Sequence, residues 1–208
     1  MLTFEVALSF FGIAVLLALT PGPDNLFVLM QSALWGRAAG MLVVLGLCTG
    51  LIAHTVAVTI GLAAIFATSA TAFTLLKLAG AAYLVYLAWG AFHAPDSVAN
   101  SEKPAKRNKW QLYRRGIVMN LTNPKVSLFF LAFLPQFASP ARGSVALQIL
   151  SLGGLFIIST LLVFGAIALF SGGLGAWIQR SQKAQRVLNR TAGVVFLGLA
   201  VKLALANR

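Results

Sequence analysis

Apolar residues run along this chain in long stretches at about 4–30, 40–67, 71–92, 114–138, 144–171 and 187–206, each closed by polar or turn-forming residues. Each stretch approaches the roughly 20 residues needed to cross a hydrocarbon core. The pattern predicts an all-α integral membrane protein of about six transmembrane helices. The first and fourth stretches contain proline, and these boundaries put both interruptions nearer the cytoplasmic ends of their helices. The sixth is short and carries Lys202, whose long stem can reach the interface.

Composition strengthens this reading. The chain is 59% hydrophobic and 10% charged, where soluble domains carry about 25% charge, and its mean hydropathy is +0.88. A single membrane domain is expected over residues 1–208, its halves at about 1–92 and 110–208, joined by a basic loop at 93–115. The first apolar stretch has no Lys or Arg before it, carries Glu5 and lacks an Ala-x-Ala site, so it is expected to stay attached. The net charge of +12 would suit nucleic acid, but no Lys/Arg stripe with interleaved aromatics exists to bind phosphates and bases.

The charge instead reports topology. Arg37, then Lys103, Lys106, Arg107, Lys109, Arg114 and Arg115, then Arg180, Lys183, Arg186 and Arg190 all fall in alternate loops, whereas the opposite face holds only Arg142 and Arg208. Positive flanks are retained in the cytoplasm, so both termini are expected outside it, in a bacterial inner membrane. The basic loop can also touch anionic lipid heads, and Trp110 and Tyr113 suit an interface.

The two halves resemble each other. Leu19-Thr20-Pro21-Gly22-Pro23-Asp24-Asn25-Leu26-Phe27-Val28-Leu29 lies without a gap over Leu121-Thr122-Asn123-Pro124-Lys125-Val126-Ser127-Leu128-Phe129-Phe130-Leu131. Ala79-Gly80-Ala81-Ala82-Tyr83-Leu84 lies over Ala192-Gly193-Val194-Val195-Phe196-Leu197 in the same order, and Gly50, Gly61 and Phe66 match Gly154, Gly165 and Phe170 more weakly. A repeated unit of three spans must cross the membrane in opposite senses, which gives a 3+3 inverted repeat, an architecture of secondary transporters.

Candidate chemistry concentrates at the repeated interruptions. Pro21 and Pro23 remove backbone donors and Gly22 frees the dihedrals between them, while Asn123-Pro124 interrupts the fourth span. Such breaks serve either as packing kinks or as places where half-helix ends meet a polar solute. Asp24, next to Asn25, and Lys125 stand in the breaks, and ionisable groups at membrane depth pair together or line a solute or proton path. Asp24 is the candidate for a substrate ammonium or a proton, Lys125 for a carboxylate.

His54 shares a helix face with Gly46 and Gly50, so it points inward, either as a proton-coupling group or as a hydrogen-bonded core histidine. Gly46, Gly50, Gly80 and Gly193 read as helix-packing positions, and the Gly36-x-x-x-Gly40 and Gly46-x-x-x-Gly50 spacings leave a homodimer open. Cys48, the single cysteine, lies in an apolar run and reads as packing. The scattered histidines and acids spell no metal cluster. Gly172-Gly173-Leu174-Gly175 lacks the Lys-Ser/Thr of a phosphate loop, so neither cofactor nor ATP is expected.

At Thr20 to Asn25, at Asn123-Pro124-Lys125 with Phe129-Phe130 and Leu134-Pro135-Gln136-Phe137, and at Gly80-Ala81-Ala82-Tyr83-Leu84, the chain resembles the lysine exporter family, the LysE/RhtB-type translocators. The resemblance covers nearly the whole chain, in order. It implies export of an amino acid or close derivative, such as a basic amino acid, threonine or homoserine, driven by the proton motive force. The other readings weighed are a membrane-embedded enzyme acting on lipid head groups through Asp24, His54 and Lys125, and an exporter or channel for metal or other ions. The enzyme reading lacks clustered acids with a metal, or a nucleophile beside a base.

Overall fold

The computed structural model describes residues 2–20, 22–68, 70–93, 108–171 and 181–205. Among the described residues all regular structure is helical. Helix α1 spans Phe4–Leu19 and α2 Pro23–Trp35, bent by 64° to each other. Helices α3, Arg37–Thr68, and α4, Ala70–Phe92, follow. Helix α5, Lys109–Thr122, meets α6, Pro124–Leu128, which runs on through a π-helical turn at Phe129–Phe133 and a 3-10 turn at Leu134–Phe137; this second pair bends by 51°. A short 3-10 turn, Pro140–Arg142, leads into α7, Val145–Phe170, and the last helix, α8, is Gln182–Leu205.

Local sequence explains where these helices start. Thr3 and Ser144 accept hydrogen bonds from the amides of Val6 and Leu147 at the heads of α1 and α7. Asn108 and Gln111 form a reciprocal capping box at the head of α5. Prolines occupy the first turns of α2 and α6, where a missing N–H costs nothing.

The helices fall on the predicted apolar stretches. By length and composition α3 and α7 can each cross a membrane alone, and each bent pair can cross as one span. The sequence reading errs on the position of the breaks. Helix α2 continues to Trp35 and α5 begins at Lys109, so the bends divide their pairs almost equally instead of lying toward one end: 16 residues in α1 against 13 in α2, and 14 in α5 before the second bend.

Large apolar side chains cover the outside: Phe4, Ile60, Trp89, Leu162 and Val194 are among the exposed ones. Inside are two cores. One is aromatic, built from Phe10, Phe129, Phe130, Phe133, Phe137 and Phe156 with ring centroids as close as 4.9 Å. The other is mostly aliphatic, around Val28, Val43, Val44, Leu47, Cys48, Val163, Phe164 and Ala168. Cys48 packs there as a small hydrophobe.

Helices α3 and α5 touch through glycine. A Cβ on Gly46 would lie 2.9 Å from the Gly116 Cα and 3.0 Å from the Ile117 amide nitrogen; one on Gly50 would lie 2.6 to 2.9 Å from the Asn120 side chain. The obstacles at Gly46 are backbone atoms that cannot turn aside, so Gly46→Ala must push the helices apart, at about 1–3 kcal/mol. We expect a lower melting temperature and less monodisperse protein than for Gly61→Ala, where a Cβ meets nothing within 4 Å. Gly193 sits 2.7 to 2.9 Å, by the same measure, from the Phe92 ring and so joins α8 to α4. The packing of Gly80, the placement of Pro21 and Gly172–Gly175, and most of the basic loop lie outside the described residues.

Candidate functional site

In an unbroken helix the carbonyl of Leu17 would accept from the amide of residue 21, but residue 21 is proline and has no N–H. The carbonyls of Ala18 and Thr20 lose their partners to the same break. A buried peptide group left unpaired costs about 1–3 kcal/mol, and side chains of the two breaks supply the missing donors. The Lys125 ammonium donates to Leu17 O at 3.1 Å and to Thr20 O at 3.2 Å. Asn25 Nδ2 donates to Ala18 O at 2.8 Å.

The second break repeats the problem. Pro124 removes the donor for Asn120 O, which accepts instead from the Asn123 amide at 3.1 Å and from His54 Nε2 at 3.4 Å. Asn123 caps α6, accepting from the Lys125 amide at 3.0 Å, and its Nδ2 donates across to Asp24 Oδ2 at 2.7 Å. The breaks are therefore stitched together by donors of the second: it sends Lys125 to the carbonyls of the first, and Asn123 to its carboxylate.

Asp24 is 4% exposed and stands in the first turn of α2, where the helix N-terminus favours an anion. Its hydrogen bond comes from Asn123 and not from Lys125, so the pairing considered between Asp24 and Lys125 is replaced by separate bonds to neutral partners. Buried oxygens remain without a donor at Asp24 Oδ1, Asn25 Oδ1 and Asn120 Oδ1. Asp24, Asn120 and Lys125 line a pocket with Leu17, Ala18, Val126, Phe156, Thr160 and Phe164, at the seam between the aromatic and aliphatic cores. Its free volume is about 20 Å³, that of a water-sized cavity. That suffices for a water but not for an amino acid, so the pocket is too small for cargo in this conformation.

The structure thus brings Gly22, Asp24, Asn25, Asn123, Pro124 and Lys125 together; an added Cβ on Gly22 would stand 3.5 Å from Lys125 Nζ. His54 joins from the side, its ring 5.5 Å from that of Phe130. Reading the sequence missed Asn120 and Thr160. Asn120 had a signal: it lies four residues before Pro124, so its carbonyl is the one that proline strips. Thr160 had none, being one hydroxyl among many in apolar helices.

The LysE type translocator model matches residues 15–207 of the chain, across both breaks. The chain belongs to that family. The translocator is 33% identical over 206 residues to the homoserine/homoserine lactone efflux protein of Salmonella typhimurium, covering 99% of each chain. It is 34% identical over 204 residues to an uncharacterized membrane protein of Vibrio cholerae, covering 98% of each, and 29% identical over 208 residues to the membrane protein YrhP of Bacillus subtilis, covering 96% of this chain and 98% of that one. No solved structure matches it. The translocator is a multi-pass membrane protein, and its apolar helices and apolar exterior agree with that membership.

Proposed function

We propose that this translocator is a secondary exporter of amino acids or close derivatives, with homoserine-like solutes the first to test because the Salmonella relative bears that name. The observation that carries the reading is the set of donor-less buried oxygens on Asp24, Asn25 and Asn120 beside the Lys125 ammonium. A substrate ammonium brings N–H donors to match them, and Lys125 can turn from its carbonyls toward the substrate carboxylate. Pro21, Gly22, Pro23 and Pro124 act by forcing the breaks that bring these groups together.

In this reading the chain is one domain of six spans in a 3+3 inverted repeat, both termini outside the cytoplasm of a bacterial inner membrane, with the bilayer as its surroundings. Gly40, Gly46 and Gly50 pack within the chain, so a homodimer would have to use another surface. Export is driven by the proton motive force: Asp24 holds either a proton or the cargo ammonium, and exclusive occupation of one carboxylate by two cations is the simplest exchanger. The purified protein in vesicles is to be offered a panel of radiolabelled amino acids and homoserine, with and without a proton gradient. Saturable counter-gradient flux of at least one is expected; its absence for all overturns the assignment.

His54 is the alternative proton carrier. Its Nε2 already serves the Asn120 carbonyl, a bond that a glutamine amide can replace. His54→Gln is therefore expected to keep export within about threefold and to leave its pH profile unmoved, as fits one weak hydrogen bond. A flattened pH profile in that variant transfers the coupling role from Asp24 to His54.

A further inference from the structure

Two turns beyond Asp24, on the same side of α2, Gln31 is completely buried and neither Oε1 nor Nε2 has a hydrogen-bond partner. Ser32 beside it is 3% exposed and its Oγ is likewise unpartnered. The buried face of α2 reads Asp24, Asn25, Val28, Leu29, Gln31 and Ser32, a polar pair at each end of an apolar step. A carboxamide can make several hydrogen bonds. Burying one with none made is among the costlier arrangements in a core, and methionine would fill nearly the same volume without that cost.

The surroundings indicate why the cost is carried. Gln31 and Ser32 lie away from the pocket, on the helix that the aliphatic core grips through Val28, and that core also contains Val43 and Ala168. A Cβ on Gly40 would overlap Ser32 Oγ and stand 3.2 Å from the Ala168 Cβ. Helices α2, α3 and α7 therefore meet here through small groups, without interlocked large side chains. Helix α2 is bounded by Gly22 and by Gly36, whose φ of 86° breaks the helix before α3. It is a short rod with a glycine at each end, packed through small groups, with unsatisfied polar groups on its inner face.

We propose that Gln31 and Ser32 form a second polar site on the solute path, a vestibule between the Asp24–Lys125 site and the Gly36 end of α2, closed in this conformation. It fills with water and the passing amino acid when α2 swings from α3 and α7. A carboxamide both accepts and donates, so it can serve the ammonium and the carboxylate of a zwitterion in turn. The inference rests on the reading of Asp24 and Lys125 as the cargo site.

Two measurements on the full-length protein in vesicles test it. In a Cys48→Ala background, Ser32→Cys is treated with a small, charged methanethiosulfonate reagent, with Arg37→Cys as the exposed control. Modification of both is expected; a Ser32→Cys protein that stays unmodified while the control reacts fully overturns the vestibule. Because this arm needs no cargo, it decides even if the wild-type protein exports no amino acid and the exporter reading fails. In the second arm Gln31→Met is expected to melt at or above the wild-type temperature yet export about tenfold more slowly, the factor for one hydrogen bond to a charged group. Wild-type export by Gln31→Met contradicts the proposal.

Discussion

Lys125→Met will reduce export by at least about 100-fold and lower the melting temperature as well. The ammonium donates to the Leu17 and Thr20 carbonyls that the Pro21–Pro23 break leaves without partners. Each hydrogen bond from a charged group is worth about 1.5–3 kcal/mol. Removing the cation also takes away the positive charge beside the buried Asp24. At about 1.4 kcal/mol per factor of ten, the two bonds together, about 3–6 kcal/mol, correspond to about two to four decades. Arginine is not expected to restore it, since a planar guanidinium fork differs in size and shape from the compact ammonium that reaches both carbonyls. Initial export rates at matched protein density, with a melting curve of the purified variant, check both effects. Wild-type flux in Lys125→Met would remove the residue from the site.

Asp24→Asn separates cargo binding from architecture. The amide keeps an oxygen for the Asn123 donor that now reaches Asp24 Oδ2 at 2.7 Å, so the stitch between the breaks survives and the melting temperature should stay within a few degrees. What disappears is the anion and its donor-less Oδ1, replaced by an NH₂ that repels an ammonium. Export should fall by about 100-fold or more, because a buried charged pairing worth about 3 kcal/mol is lost. Loss of flux without loss of stability is the signature; unchanged flux would assign Asp24 a packing role. Lys125→Met loses both, which is how the two residues differ.

Much of this was legible in the residues. Proline removes a named donor, so the sequence located the breaks, and the i−4 rule pointed from Pro21 and Pro124 to the Leu17 and Asn120 carbonyls, a signal left unread. Hydropathy placed the long helices among the described residues, missing the end of α2 and the starts of α5 and α8 by about five residues. It misjudged the ends of α2 and α5 because Gln31, Ser32, Lys109 and Gln111 look like loop residues when only polarity is counted; the first pair is buried on a helix and the second exposed on one. Which donor serves which carbonyl was not readable, since Lys125 and Leu17 meet only through tertiary packing. Nor was the separation of Asp24 from Lys125: opposite charges in adjacent breaks invite an ion pair, whereas in the folded chain the ammonium goes to carbonyls and the carboxylate to Asn123.

The account stands on cargo being held where the two proline breaks meet. The most direct test is an experimental structure of the protein in lipid with its exported amino acid bound. Density for the ammonium within hydrogen-bond reach of Asp24 and Asn120, with the carboxylate toward Lys125, is the predicted result. Cargo bound elsewhere, or acyl chains filling the space between the breaks, would contradict it.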